Sequence, residues 1–222
     1  MARGWFVTGT DTGVGKTLVS CALLHALAAR GARVAAMKPV ASGCRPGADG
    51  PRSEDALALC TAANVPADFA DINPYAFEPA TAPHLAAQAS GVEIRIDTIH
   101  AHYTRLAAHA NHVVVEGIGG WLVPISATHS MADVVRNLEL PVIMVVGLRL
   151  GALNHALLTA QVIAAQGCRL VAWVANSIER QAPEDYVDAL RALLGVPLLG
   201  VIPYGCSARD AARCLDVRAL AV

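Results

Sequence analysis

The sequence predicts an α/β fold: a mostly parallel β-sheet with helices on both faces, of the P-loop nucleotide-binding type. Three observations predict it. Short, β-branched apolar runs alternate with longer helix-like stretches along the chain. The runs are apolar on both faces, as strands covered on both sides are. Finally, "GTDTGVGKT", Gly9 to Thr17, stands between the first run and the first long helix. In that position backbone N–H groups and a helix N-terminus converge on an anion.

Each element has its own signal. The first run is "WFVTG" at 5–9. A helix follows over 16–31, with Leu23, Ala26 and Leu27 on one face and Gly31 as its stop. The second run, "RVAAMKPV" at 33–40, meets Pro39, where the chain should turn. Segment 44–111 is less regular, with helices expected near 53–63 and 97–110 and proline-rich loops around "NPYAFEPATAPH". Further strands are read at 112–117, 141–147, 169–176 and 197–203. A helix over 154–167 has Asn154 as candidate N-cap and Gly167 as stop. Another, over 183–195, opens with proline and acids and closes on Gly195. There is no linker, repeat or low-complexity tract, so one domain is expected over 1–222.

Composition excludes several functions. A formal net charge of −1 gives no basic field for nucleic acid or an anionic membrane. No run reaches the roughly 18 apolar residues of a membrane span. The N-terminus lacks a signal peptide's apolar stretch, so a cytoplasmic protein is the expectation. Six scattered cysteines form no C-x-x-C, and the histidines show no zinc spacing.

The loop has five residues between Gly9 and Gly15, one more than the usual phosphate loop. Lys16 would reach the β- and γ-phosphates and the Thr17 hydroxyl would bind Mg²⁺. The bland alternative is an ordinary Gly-rich turn. A dinucleotide fold is excluded because the glycines are not G-x-G-x-x-G and the second strand ends in Lys38 instead of an acid. Glu116 ends the strand "VVVEG" and should emerge at the same sheet edge. It is a candidate Mg²⁺ ligand or water-orienting base, or else a structural acid. Gly117, Gly119 and Gly120 would let backbone approach a ligand. Lys38 could stabilise charge in phosphoryl transfer, or be an exposed surface lysine. Ser42 and Gly43 would line the same rim. Asp55, behind a possible Ser53 cap, reads on its own as first-turn helix charge.

The ordered set "FVTGTDTGVGKT", "KPVASG", "VVVEGIGGWLVP", "GLRLGALNHALLTAQ" and "WVAN" resembles the dethiobiotin synthetases over residues 5–203. That family carries the same extra loop residue. The resemblance implies a homodimeric enzyme that uses ATP and Mg²⁺ to join CO₂ to 7,8-diaminononanoate, for biotin synthesis. It implies that Gly13, Val14, Gly15, Lys16, Thr17 and Leu18 cradle phosphates, with Gly117, Ile118 and Gly119 alongside. Thr17, Asp55 and Glu116 would hold Mg²⁺, with Lys38 as catalytic lysine beside Lys16. Thr12, Ser42 and Gly119 would face the substrate. Asn176 would read adenine, flanked by Ser177 and by Pro203, Tyr204 and Gly205. Gly151, Ala152, Leu153 and Asn154 open a predicted helix, which reads equally as a plain N-terminus; resemblance makes it the partner subunit's clamp on the substrate carboxylate.

Three positions depart from the family pattern. Gly13 stands where many relatives have glutamate, Ile118 where alanine is common, and 205–217 match poorly. Two rival readings are an ATPase switch of the partition type and a larger-substrate amide ligase. The first usually has an early loop lysine, where this sequence has Thr10, Asp11 and Thr12, and a basic or amphipathic attachment surface, which this sequence does not show. The second needs a glutamine-handling domain for which 222 residues leave little room.

Overall fold

The first apolar run forms β1 (Arg3–Gly9) and the stretch after the glycine loop forms α1 (Lys16–Ala28), in a computed structural model that describes residues 2–183 and 185–220. The second run does not form one strand. It makes β2 (Val34–Met37), breaks at Lys38–Pro39, and resumes as β3 (Val40–Ser42) in a different sheet. Proline removes a ladder donor and forces the residue before it away from helix, so the break falls where the sequence indicates a turn.

The irregular middle holds more structure than its periodicity suggests. It contains α2 (Glu54–Ala62), α3 (Phe69–Ile72), β4 (Tyr75–Phe77), α4 (Pro83–Ala89) and α5 (Ile96–His109). Helix α2 starts as expected, with the Ser53 side chain accepting from Ala56 N. Strand β4 pairs in parallel with β3, and together they carry the chain away from the main sheet. After it come β5 (His112–Glu116), α6 (Met131–Asn137), β6 (Val142–Leu148), α7 (Ala152–Ala165), β7 (Leu170–Ser177), α8 (Asp185–Leu194), β8 (Leu198–Ile202), α9 (Ala208–Arg213) and a 3-10 turn over Val217–Leu220. Glu184, one of the acids read at the opening of the 183–195 helix, lies outside the described residues.

Asn154 is not the cap of α7. Gly151 occupies that position with φ 91°, and Asn154 lies inside the first turn. Glycine tolerates the left-handed backbone that an asparagine cap would avoid by starting the helix later.

The main sheet is wholly parallel, in the order β2-β5-β1-β6-β7-β8. Strand alternation divides its core. Trp5, Val7, Ile143 and Val145 face α1 and α9. Phe6, Val113 and Val115 face the opposite layer with residues of α5 and α6. Met144, Val146 and Trp173 face α7 and α8. Burial on both faces explains the continuous apolar runs. The carboxyl ends of β1, β2 and β5 lie side by side, so the residues following them meet at one edge.

Strand β8 ends the sheet, and the tail closes against it: Asp216 N donates to Leu199 O at 2.8 Å. Gly200 permits this approach. A methyl group there would overlap the Cys214 carbonyl oxygen and lie 2.9 Å from its carbon. Gly200→Ala is therefore expected to cost about 2 kcal/mol and to lower Tm by about 4–8 °C. Thermal unfolding followed by circular dichroism measures this, and an unchanged Tm would show that the tail gives way freely.

Candidate active site

The phosphate loop follows β1 and ends in α1, whose N-cap is Gly15 at φ 90°. Gly13 is also left-handed, at φ 75°. The two glycines differ in surroundings. A side chain on Gly13 would enter open space, whereas one on Gly15 would strike Asn176. Asn176, at the end of β7, donates from Nδ2 to Val14 O at 2.9 Å and so ties a distant strand to the loop.

Lys16 is buried, and its ammonium donates to the Asp11 carbonyl at 2.9 Å. Burial, and then the neighbouring Lys38, lower its pKa from 10.5 to about 8, against upward pulls from Glu116, Asp55 and Asp11. Only the protonated form attracts phosphate, so the sign is a loss of affinity with alkali. Affinity for metal-free ADP should hold up to about pH 8 and then weaken about ten-fold per unit. Calorimetric titration between pH 7 and 9.5 checks this; a flat profile would remove Lys16 from the phosphate contact.

Lys38 is not the surface lysine of the bland reading. It is 2% exposed, yet sits where β2 leaves the sheet. Its ammonium donates to Glu116 Oε1 at 2.6 Å, Asp55 Oδ2 at 2.8 Å and Gly117 O at 2.9 Å. All three ammonium donors are thus used. Burial alone would lower its pKa, but the Glu116 and Asp55 carboxylates outweigh that and raise it. Burial works against ionised Asp55 as well, and the Lys38 charge reverses it, holding the carboxyl below its usual range.

The backbone that aims Lys38 depends on a residue the sequence reading passed over. Buried Asn73, just after α3, donates from Nδ2 to the carbonyls of Lys38 at 2.7 Å and Tyr75 at 3.1 Å. Lys38 N donates to Ile72 O at 2.7 Å. An Asn-Pro pair is a turn signal, and here the turn braces the lysine.

Glu116 ends β5 fully buried. Its Oε1 also accepts from the Thr17 hydroxyl at 2.9 Å, while its Oε2 is buried without a hydrogen-bond partner among the described residues. An unpaired buried carboxylate oxygen is costly. Together with Asp55 and the Thr17 hydroxyl, it makes a set of hard oxygen donors of the kind that suits Mg²⁺.

These groups share one cavity of about 700 Å³. Thr12, Gly13, Gly15, Lys16 and Thr17 line it from the loop. Lys38, Ser42 and Asp55 line a second wall, and Glu116, Ile118 and Gly119 a third. Val14 and Gly117 are buried behind it, and Leu18 packs into the α1 core layer. Ser177, Pro203 and Tyr204 line a different cavity of about 570 Å³, where the Arg180 guanidinium lies 5.6 Å from the Tyr204 ring centroid. Gly205 follows on the exposed side. Gly151, Ala152, Leu153 and Asn154 are not among the residues lining the loop cavity of this chain.

Parallel topology, a glycine loop leading into α1 and two buried lysines lining the cavity beside it define a nucleotide-binding protein of the P-loop class. Its fold is shared with the MinD cell division protein of Aquifex aeolicus, at 16% identity and TM-score 0.54, covering 97% of this chain and 89% of that one. It is shared too with the signal recognition particle receptor FtsY of Elizabethkingia anophelis, at 18% identity and TM-score 0.52; there the match covers 95% of this chain but 61% of the receptor chain. At such identities the likeness concerns the fold alone. A family model described as an AAA domain matches residues 3–209.

Sequence relatives are more specific. The chain is 50% identical over 211 residues to the ATP-dependent dethiobiotin synthetase BioD of Xanthomonas euvesicatoria pv. vesicatoria strain 85-10, covering 94% of each. It is 49% identical over 202 residues to that of Xylella fastidiosa strain 9a5c, covering 90% of this chain and 89% of the relative. The chain belongs to the ATP-dependent dethiobiotin synthetase family.

Proposed function

We propose that this chain, as one synthetase domain over residues 1–222, converts 7,8-diaminononanoate, CO₂ and ATP into dethiobiotin, ADP and phosphate for biotin biosynthesis. The observation that carries the reading is the buried Lys38 ammonium, held between Asp55 and Glu116 beside the phosphate loop. A plain nucleotide switch has no need of a second buried cation there; a reaction that builds negative charge on a second reactant does.

One substrate amine captures CO₂ as a carbamate. The carbamate oxygen attacks the γ-phosphorus, the bond to ADP breaks, and a carbamic-phosphoric anhydride results. The second amine attacks the carbonyl carbon, expels phosphate and closes the ureido ring. Lys16 neutralises charge on the transferring phosphoryl group, and Lys38 does so on the carbamate and the oxygens it attacks through. Thr12, Ser42 and Gly119 hold the diamine, and the loop amides of Gly13 to Leu18 hold the phosphates. Thr17, Asp55 and Glu116 would hold Mg²⁺, which supplies charge neutralisation at the phosphates. No side-chain nucleophile takes part, so rate comes from positioning and electrostatics.

On this reading Asn176, Ser177 and the Pro203–Gly205 turn serve the base. Gly151–Asn154 of one subunit clamp the substrate carboxylate of its partner in a cytoplasmic homodimer. The test is direct: incubate the protein with diaminononanoate, bicarbonate and Mg-ATP and look for dethiobiotin by mass spectrometry. Absence of any ureido product with every nucleotide tried would overturn the assignment.

A further inference from the structure

Asp11 stands inside the phosphate loop, and the reading above gives it no task. Its position is electrostatically adverse, because a carboxylate beside an anion-binding loop repels the phosphate it should admit. The structure supplies a counter-charge from far along the chain. Arg149, directly after β6, donates from its guanidinium to Asp11 Oδ2 at 2.6 Å. The other carboxylate oxygen, Oδ1, accepts from Thr12 N at 2.7 Å. The backbone carbonyl of Asp11 accepts the Lys16 ammonium at 2.9 Å. The start of the loop is fixed to the same strand, since Thr10 N donates to Val145 O at 3.1 Å. Arg149, Asp11 and Lys16 therefore form one chain of contacts from β6 to the phosphate-facing ammonium.

We infer that Arg149 is a positioning residue for the phosphate loop: its guanidinium cancels the Asp11 charge and fixes the peptide whose carbonyl aims Lys16. The inference rests on Gly9–Thr17 being a nucleotide loop. Both partners are partly exposed, at 37% and 45%, so the pair adds little to fold stability. Its effect falls on the ligand, whose charge interacts with whatever Asp11 leaves uncancelled.

A charge-cancelling role and a merely structural one predict different double variants. Arg149→Ala leaves the Asp11 carboxylate without its counter-charge, and should weaken ADP binding about ten-fold with little change in Tm. Asp11→Asn keeps an acceptor for Thr12 N and removes the charge. The Asp11→Asn/Arg149→Ala double variant should therefore bind ADP better than Arg149→Ala alone. Arg149→Lys should stay close to wild type. In turnover, KM for ATP should rise with Arg149→Ala while KM for the diamine stays put, although Gly151 is only two residues away. Isothermal titration with ADP reads the first set and steady-state kinetics the second. A double variant as weak as Arg149→Ala, an unchanged ADP affinity, or a rise confined to the diamine KM each overturns the inference and leaves the nucleotide reading standing. Failure of the wild-type protein to bind ADP overturns both.

Discussion

Lys38→Ala is expected to cut the rate of the chemical step by about 100-fold or more, as loss of one preorganised charge stabiliser does. ADP affinity should change far less, because on the proposed reading the loop amides and Lys16 supply the phosphate contacts. The substitution has a second consequence that could be mistaken for the first. Lys38 cancels the charge of Glu116, which is fully buried. Breaking a buried pair leaves an uncompensated charge and costs up to about 3 kcal/mol here, at the lower end of the usual range because Asp55 is partly exposed. Mg²⁺ can restore the missing positive charge, so the variant should gain more Tm from added Mg²⁺ than the wild type does. Two measurements separate the effects. Thermal unfolding with and without Mg²⁺ reads the fold, and single-turnover formation of dethiobiotin at saturating Mg-ATP reads the chemistry. If the Mg²⁺-stabilised variant turns over at the wild-type rate, Lys38 has no part in the chemical step.

The burial of Lys38 also marks how far the sequence could be read. The central strands of the main sheet were legible because they are buried on both faces, which leaves uninterrupted runs such as Val113–Val115 and Val142–Val146. The loop was legible because glycines, a lysine and a helix start coincide in one local stretch. The surroundings of Lys38 were not. They depend on β3 and β4 forming a separate two-stranded sheet and on Asn73 reaching back 35 residues. Strands three residues long carry no periodic signal. The Arg149–Asp11 pair spans 138 positions, and nothing local in either segment announces the other. The cap of α7 was misread for a different reason. Asparagine is a common cap and so drew the helix start to Asn154, while a left-handed glycine three residues earlier does the same task without a side chain. Spacing alone shows Asp55 only as helix charge, and resemblance singles it out; the structure places its carboxylate 2.8 Å from the Lys38 ammonium.

Gly15→Ala should weaken ADP binding by about 100-fold, since displacements of about 1 Å in a positioned site have effects of that size. Two causes combine. At φ 90° an alanine pays the left-handed penalty of about 1–2 kcal/mol. Its methyl group would also overlap Asn176 Nδ2 and lie 3.2 Å from Cγ. Asn176 would have to withdraw from Val14 O, releasing the tie between β7 and the loop. Gly13 provides the control. It is left-handed too, at φ 75°, but a methyl group there meets nothing within 4 Å among the described residues. Gly13→Ala should thus carry the backbone penalty alone and weaken ADP binding by about ten-fold or less. That open space also fits the family pattern, in which a glutamate often stands at this position. A third protein separates the causes within Gly15→Ala. Adding Asn176→Ala removes the amide that the methyl group strikes. Asn176→Ala alone is the reference, because it loses the Val14 tie and the proposed base contact in any case. A double variant that binds ADP as well as Asn176→Ala assigns the loss to the clash; one that binds it more weakly assigns the remainder to the backbone. Calorimetry on the five proteins decides, and equal losses for Gly13→Ala and Gly15→Ala would show that Asn176 does not hold the loop in shape.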